Sequence, residues 1–557
     1  MLVGIDVGGT FTDGVLLAEG EVINSVKQPT DEENLKESIL AVLDELIKGT
    51  DPTRIKRVVL STTLVTNLLA TGKGERTALV LIPGPGLNLQ HLDLAPNSYT
   101  VEGAVDFRGR VISSIKRTQV AEVGKDIAGH GIRKVAVVGK FSQRNNSLEA
   151  EAREILMEQY PHFEVFLGSE VSGQLNFLRR AVTTYYTAMT RSTWDRFARE
   201  IQEALVQRGI GTGCDILKAD GGTMPLEVSV KYPCETVFSG PAASAMGAYA
   251  LTMDKRTSVV VDIGGTTSDL ALILEGKPLY ASKGAVIDGK YTHVRAFAVR
   301  SVALGGDSTV RWNGSEVVIG PDREGVAACF GGPRATPTDA FNLLEGGKLG
   351  RLDLSQAALE RVAGEARLPV EELARQVVEK VVELLETNVK DMFKSWEQEP
   401  AYRVWEIVNR RKVSLDRAIG IGAAAEAFIP TLARRLGCEA FIHRYSPVAN
   451  ALGAGVARPT LSIVLHADTQ RQAYSLDIGG VSGTIGSRVQ LEDVKKLARE
   501  HLEQLANDRG IGHYARQSEF FLEEQFNVIR GWSTVGKLFD VGIQIAPGVI
   551  DEFKGVK

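Results

Sequence analysis

Cysteine is scarce in this chain: four among 557 residues, at Cys214, Cys234, Cys329 and Cys438. They are scattered and form no C-x-x-C pair, so neither a disulfide framework nor a zinc knuckle is indicated. No apolar run is long enough to span a bilayer, and no membrane partner is expected. A strong excess of either charge is also missing. The net charge of −5 gives no default attraction to nucleic acid or to an acidic membrane. A strand begins at the first residues, no signal peptide fits ahead of it, and a reducing cytoplasm is the expected compartment. What remains is ordinary globular composition, 44% hydrophobic and 24% charged. The length exceeds what one core supports, so two or three domains are expected.

What the chain does have is one loop pattern twice. Near the start it reads Val3-Gly4-Ile5-Asp6-Val7-Gly8-Gly9-Thr10-Phe11-Thr12-Asp13. It returns as Val259-Val260-Val261-Asp262-Ile263-Gly264-Gly265-Thr266-Thr267-Ser268-Asp269. Each copy is an apolar strand, an acidic residue, a Gly-Gly turn, hydroxyls, a second Asp and another apolar strand. The chemistry suits a polyphosphate. Gly8, Gly9, Gly264 and Gly265 let backbone N–H groups approach an anion. Thr10, Thr12, Thr266 and Thr267 can donate hydrogen bonds to it. The carboxylates Asp6 and Asp262 can hold magnesium through water. One such loop is a weak signal. Two, far apart and each set between strands, mark a duplicated fold with a nucleotide in the cleft between its halves.

Short apolar runs alternate with helical patterns, which implies α/β layers. Leu2 to Val7, Gly14 to Leu17 and Val22 to Val26 read as a meander around the first loop. Leu35 to Ile47 follows helical spacing, with Thr30 or Asp31 as its cap. Val58 to Leu60, Ala78 to Ile82, Val135 to Val138 and Val165 to Leu167 read as strands. A long helix is expected from about Asn176 to Val206. Strands follow at Ile216 to Lys218, Ser258 to Val261, Ala271 to Leu274 and Ala418 to Ile421. Helices are expected at Gln356 to Val362 and Val370 to Trp396, after a polar, glycine-spotted stretch from Gly305 to Gly350 that reads as functional loop. Beyond Pro459, Ser462 to Leu465 and Gln472 to Leu476 can pair as strands, and Val494 to Asn507 is a helix. A third D-I-G-G, Asp477-Ile478-Gly479-Gly480, is read as a turn only. The expected organisation is residues 1–175 as an N-terminal domain, 176–460 as a second, and 461–557 as a small C-terminal region.

Several segments together resemble the hydantoinase A/oxoprolinase family of the actin-like ATPase superfamily. Leu60-Ser61-Thr62-Thr63-Leu64-Val65-Thr66-Asn67, with Gly72 to Thr77, is similar to the family's H-G-T-T-x-x-T-N…R-K-G-x-R-T. Asp220-Gly221-Gly222-Thr223-Met224 resembles S-N-G-G-x-M, and Phe238-Ser239-Gly240-Pro241-Ala242-Ala243 resembles L-S-G-P-A-G. Gly320-Pro321, Ala328-Cys329-Phe330-Gly331 and Pro337-Thr338-Asp339-Ala340 resemble G-P…A-C-Y-G…V-T-D-A, and Gly453-Ala454-Gly455 the end of S-A-L-G. The similarity runs in order through about residue 460. It implies two actin/ribonuclease-H-like domains with a nucleotide cleft between them. It also implies ATP and Mg2+ as cofactors, a small amide or carbonyl substrate, and in many relatives a second, hydantoinase B-like subunit. A homo-oligomer is expected. Characterised members use ATP to open cyclic amides such as hydantoins or 5-oxoproline; others are ATP-using subunits of ketone carboxylases. The shared chemistry is phosphorylation of an unreactive carbonyl or bicarbonate oxygen.

The chain departs from the family in three places. The family's D-I-H-T-x-G-A-G-G-G-S is here Ala298 to Ser308, with Ala298 and Arg300 in place of the Asp and His. The family's R-E-x-E-R-T-S is Asn176 to Val182, keeping only Arg180. The C-terminal region is shorter than in the larger hydantoinase A subunits.

Asp6, Asp262, Thr62, Thr63 and Asp307 are the candidate catalytic residues. Thr62, Thr63, Thr66 and Asn67 follow an apolar strand, where α/β folds bind ligands; a helix cap is the plain alternative. Gly305-Gly306-Asp307-Ser308 exposes backbone beside a carboxylate, placed where sugar kinases of the superfamily have a base; a solvated turn is the alternative. Gly420-Ile421-Gly422-Ala423-Ala424 is read as a small-residue turn against which adenine and ribose pack, with a tight strand–helix crossing as the alternative. Gly221-Gly222-Thr223 and the Ser239-Gly240-Pro241 helix start divide evenly between nucleotide contact and local geometry. Asp339 is most simply an N-cap. His293 is expected at the surface, and Cys329 is expected to be a small packed residue. The leading expectation is an ATP-dependent hydrolase opening a small cyclic amide. The rival is a non-hydrolytic, reactivating or chaperone-like ATPase, or an ATP-using carboxylase subunit.

Overall fold

A computed structural model describes residues 1–31, 33–89, 92–398, 414–422 and 424–556. Two six-stranded sheets carry the repeated loops. In the first, the strand Leu2–Val7 turns back antiparallel into Phe11–Ala18 and runs parallel to Arg57–Thr62. In the second, Ser258–Ile263 turns back into Ser268–Leu274 and runs parallel to Arg417–Ile421. The registers coincide: Asp6 faces Asp13 as Asp262 faces Asp269. The turns coincide as well. Gly8 N donates to Phe11 O and Gly264 N to Thr267 O, both at 3.0 Å. Val3, Ile5, Val7, Val259 and Val261 are fully buried, the expected place for a run of β-branched residues in a central strand. Each such side chain contributes about 1.5–3 kcal/mol.

The first sheet also takes in Cys214–Leu217 and Thr223–Pro225, which lie beyond residue 175. The covalent division expected there is therefore not a division of the sheet. A separate parallel sheet of Glu164–Leu167, Lys134–Gly139, Thr77–Ile82 and Ser98–Thr100 is built into the first half.

Two helices, Ser239–Thr252 and Ala449–Val456, lie between the large sheets and touch backbone to backbone. A Cβ built on Gly247 would lie 2.2 Å from Ala449 O, and one on Gly453 2.3 Å from Gly247 N. The second helix sits equally close on the first sheet, where a Cβ on Gly4 would come within 2.1 Å of Ala451 O. Glycine is required here by close approach, not by a special φ.

The C-terminal region is more than an appendage. Its strands Leu461–Asp468 and Ala473–Leu476 pair as expected. The rest, for which no regular element was expected, is a long hairpin of Glu519–Arg530 and Ser533–Ile545 that completes a five-stranded sheet. The helix Leu491–Asp508 covers it, and the shared core includes Val15, Leu17 and Ala250 from the rest of the molecule.

Other local expectations change. The helix Leu35–Leu46 is capped by the Asn34 side chain, not by Thr30 or Asp31. The 305–350 stretch contains a small hairpin, Val310–Trp312 with Val317–Ile319, and the helix Pro337–Leu344. There Asp339 completes a capping box with Thr336, which is the actual N-cap. Asp477 to Gly480 is a turn, with Gly479 and Gly480 at φ +68° and +66°. Ala423 lies outside the described residues.

Candidate active site

The two loops converge. A Cβ built on Gly265 would stand 3.4 Å from Thr10 Oγ1 and 2.7 Å from Asp307 Oδ2. Three of the expected residues, from three separate segments, therefore meet at one point. Thr266, Thr267 and Gly264 are exposed on the second loop, and Gly9 on the first; Gly8 and Thr10 are half-buried.

Asp6 and Asp262 occupy equivalent strand positions, and one side chain, Asn450, contacts both. Asn450 Nδ2 donates to Asp262 Oδ2 at 2.9 Å, and Ser244 Oγ donates to the same oxygen at 2.5 Å. Asp6 is 4% exposed, and its Oδ1 is buried without a hydrogen-bond partner. Burial pushes its carboxyl up to about 7, aided by Asp13 and Asp262 and opposed by hydrogen bonds from Ser61 and Asn450. Asp269, beside Asp262, is pushed up to about 6 by burial and by that neighbour. Asp13 is also raised by burial, although Lys27 Nζ donates to it at 2.7 Å. Crowded carboxylates with an orphaned inward oxygen are destabilised without a compensating charge. That donor set fits a hydrated divalent cation beside a polyphosphate.

Asp307 lies over the second loop. Its N–H donates to Gly265 O at 2.8 Å, and Gly306 N donates to Gly264 O at 2.9 Å. Its carboxylate accepts from Arg323 (3.1 Å) and from Ala327 N (3.2 Å). Burial raises its pKa, against the pull of Arg323.

The other expected residues divide. Thr62 ends its strand fully buried, with Oγ1 accepting from Leu64 N. Thr63 next to it is half-buried and caps no helix N–H. Thr66 accepts from Phe238 N at 3.0 Å, fixing the start of the Ser239–Thr252 helix. Thr12 is fully buried and bonded to Thr30, so it faces away from the loop. Gly420 packs on Ile429 and Ala425, the tight strand–helix crossing, and is not open to a nucleotide. Gly422 belongs to the site: its φ is +86°, and a Cβ there would lie 3.1 Å from Asp262 Oδ1. Gly221 and Gly222 are wedged against Phe297 and Thr460, away from the loops. His293, expected at the surface, is instead half-buried and paired with Ser172 at 2.8 Å; burial and Arg180 push it down to about 3. Cys329 is buried, and burial pushes its thiol up to about 12, as for a packed residue. Arg300 turns to the Val370–Glu397 helix, reaching Asn388 O and Asp391.

Sequence reasoning missed Asn450 and Ser244, which orient Asp262, and Arg323, which holds Asp307. Asn450 stands three residues ahead of the Gly453-Ala454-Gly455 segment, and Ser244 directly follows the Ser239 to Ala243 segment. Both were adjacent to recognised motifs. Only the crossing of their helices brings them to the carboxylates.

Two hairpin-bearing α/β sheets with facing glycine loops define an actin-like fold. The sequence pattern of the hydantoinase/oxoprolinase family matches residues 180–463, and that of its N-terminal region matches residues 2–160. The chain belongs to this family. It is 25% identical over 420 residues to the acetophenone carboxylase gamma subunit of Aromatoleum aromaticum, which covers 65% of this chain and 56% of that protein. It is 23% identical over 486 residues to the caprolactamase subunit alpha of Pseudomonas jessenii, with 78% and 67% covered. Acetone carboxylase, in its nucleotide-free structure, superposes with a TM-score of 0.70 at 18% identity, over 99% of this chain and 88% of that one. The chain thus spans little more than half the length of the acetophenone carboxylase subunit. Among the described residues, no helix is long and apolar enough to cross a membrane.

Proposed function

We propose that this chain is an ATP-dependent enzyme that opens a small cyclic amide, with ATP and Mg2+ held between the two loops. The observation that carries the reading is the convergence of Thr10, Gly265 and Asp307 at the turns that follow Asp6 and Asp262, together with the unpartnered buried oxygen of Asp6. When bound there, ATP would supply the phosphoryl group that turns an amide carbonyl oxygen into a leaving group. The chain's own residues do the rest. Asp6 and Asp262 offer carboxylate oxygens to the cation, with Asn450 and Ser244 fixing the second of them. Thr10, Thr266, Thr267 and the loop backbone orient phosphate oxygens. Asp307 is held at the second loop by Arg323, and its raised pKa is the direction a general base needs. Thr63 stands at the end of the neighbouring strand; its Oγ1 accepts from Asn67 Nδ2 at 3.4 Å, and its O–H remains a donor that can orient a carbonyl. The caprolactamase subunit among the relatives supports this chemistry.

One observation favours a second reading. Ala298 and Arg300 replace an Asp and a His, and Arg300 is committed to the Val370–Glu397 helix. In that reading the chain is the ATP-using subunit of a carboxylase and works with a second, hydantoinase B-like chain; the acetophenone carboxylase relative supports it. A panel of lactams and hydantoins, assayed for substrate-stimulated ADP release together with ring opening, separates the two. Stimulation by an amide with matching ring opening is the expected result. Stimulation only by a ketone with bicarbonate would favour the carboxylase subunit, and failure to bind ATP would overturn both.

A further inference from the structure

Away from the loops, where the first half, the second half and the C-terminal sheet meet, lies a cavity of about 570 Å³. It opens next to a smaller chamber of about 100 Å³, sharing Gln174, His293, Arg295, Ser462 and Asp477 with it. The volume falls in the range of small-molecule sites.

The lining is unusual for a mere packing defect. Three arginines reach it: Arg144, Arg179 and Arg295. Arg295 is fully engaged: its guanidinium lies 4.2 Å from the centre of the Tyr280 ring, also faces Phe521, and donates to Gln544 Oε1. Arg144 and Arg179 are different. Both are half-buried, and among the described residues neither guanidinium makes a hydrogen bond or a close ion pair, although the charges of Asp540 and Asp468 act on Arg144. The Arg179 guanidinium lies 5.6 Å from the centre of the Tyr291 ring. Burial lowers Arg144 to about 10, which leaves it charged at neutral pH. Tyr280 Oη and Gln143 Oε1, on the same wall, are buried with no partner. A guanidinium carries five donors in a fixed fork and is costly to hide unmet.

Several acceptors in the wall are already engaged, although Gln143 Oε1 is not, and Glu524 also lines it. Asp540 is paired with His466 at 2.7 Å. In the small chamber, Asp220 is held by Lys218 at 3.1 Å and by Thr460. Asp477 accepts from Val464 N at 2.7 Å. The rest of the wall is mixed: Leu175, Val464, Leu476 and Leu522 form an apolar part, beside Thr292, Ser462 and Ser475.

We propose that this junction cavity binds a small organic carboxylate, whose charged end meets Arg144 and Arg179 and whose carbon skeleton lies on the apolar wall. The planar fork of arginine matches a carboxylate through two parallel bonds. The apolar part of the wall around Leu175, Val464 and Leu522, with the volume, favours an organic anion over a bare inorganic one. The site stands apart from the paired loops, so it does not depend on the reading given for them.

Isothermal titration of the full-length chain, with glutarate, glutamate and citrate as probes and inorganic phosphate as the contrast, tests the assignment. At least one carboxylate should bind saturably, with phosphate at least tenfold weaker. Arg144→Gln and Arg179→Gln should each weaken the carboxylate tenfold or more, while far-UV circular dichroism and ATP binding stay as in the unaltered chain. Two substitutions guard against one of them disturbing the fold. No saturable carboxylate binding, binding of phosphate alone, or unchanged affinity in both folded variants would overturn the site.

Discussion

A buried carboxylate with one oxygen unpartnered is the most informative residue in this protein. Asp6 keeps one oxygen unpartnered in a crowd of three further aspartates, Asp13, Asp262 and Asp269. If a cation is its partner, Asp6→Ala and Asp262→Ala should each abolish ATP turnover and leave the thermal melt cooperative, because no neighbour can replace the lost ligand. Full ADP release by both variants would sink the assignment. The two threonines at the first strand's end should part company. Thr62 is buried and accepts from Leu64 N, so Thr62→Ala should lower stability by about 1 kcal/mol. Thr63 caps nothing, so Thr63→Ala should leave the melt alone and lower kcat/KM tenfold or more, about 1.4 kcal/mol in the barrier. Coupled ADP release beside melting curves distinguishes them. Asp477 gives a pH signature. Burial raises its carboxyl from the ordinary 3.8 to about 7, with Glu235 adding to the rise and Val464 N and Gln174 opposing it. The folded state therefore holds the proton more tightly than the unfolded chain. Its contribution to stability is full below 3.8 and is lost as pH rises through about 7. Asp477→Asn should flatten the fall in melting temperature across that window; an unchanged pH profile would count against the buried carboxyl as its source.

At the scale of elements, the two central helices decide how close the halves approach. Gly247 and Gly453 leave no room for a methyl group between backbones. Gly453→Ala should cost about 1–3 kcal/mol or more in urea unfolding, since backbone cannot yield as a side chain can. Gly364 is the contrast. It lies exposed in the Leu352–Ala366 helix with nothing near its missing Cβ. There Gly364→Ala should be neutral or stabilising by up to about 1 kcal/mol. Similar losses at both positions would mean that helix propensity, and not close approach, explains Gly453. The same two helices also carry Ser244 and Asn450 to Asp262, so their packing sets the geometry of the candidate site.

For the whole molecule, ligand between two similar sheets predicts motion. The halves meet through the Ser239–Thr252 and Ala449–Val456 helices, whose flat glycine contacts suit small sliding or hinge movements. Small-angle scattering with and without a non-hydrolysable ATP analogue should show a smaller radius of gyration in the complex. An unchanged radius, with binding proven independently, would argue for a rigid cleft. The C-terminal sheet shares its core with Val15 and Leu17 of the first half and with Ala250, Ala451 and Leu452 of the two central helices, so it packs on the hinge region itself.

The duplicated loops, the α/β layering and the family were legible in the sequence, because each rests on local pattern: strand, glycine turn, strand. Most strands and long helices were legible for the same reason, since burial imposes a period of two or of three to four on the residues themselves. Side-chain direction was not. Thr12 and Gly420 fit the loop pattern yet turn into packing, because alternation along a strand and the approach of the Ala425–Leu436 helix decide which face each presents. His293 looked solitary in a polar stretch, and only the meeting of distant segments buried it beside Ser172. The long C-terminal hairpin was hidden because half of its residues face solvent and its apolar pattern is weak. The local chain thus determined which loops exist. The crossing of two helices, 200 residues apart in sequence, decided which side chains meet at them, since Asn450 and Ser244 reach Asp262 only through that tertiary contact.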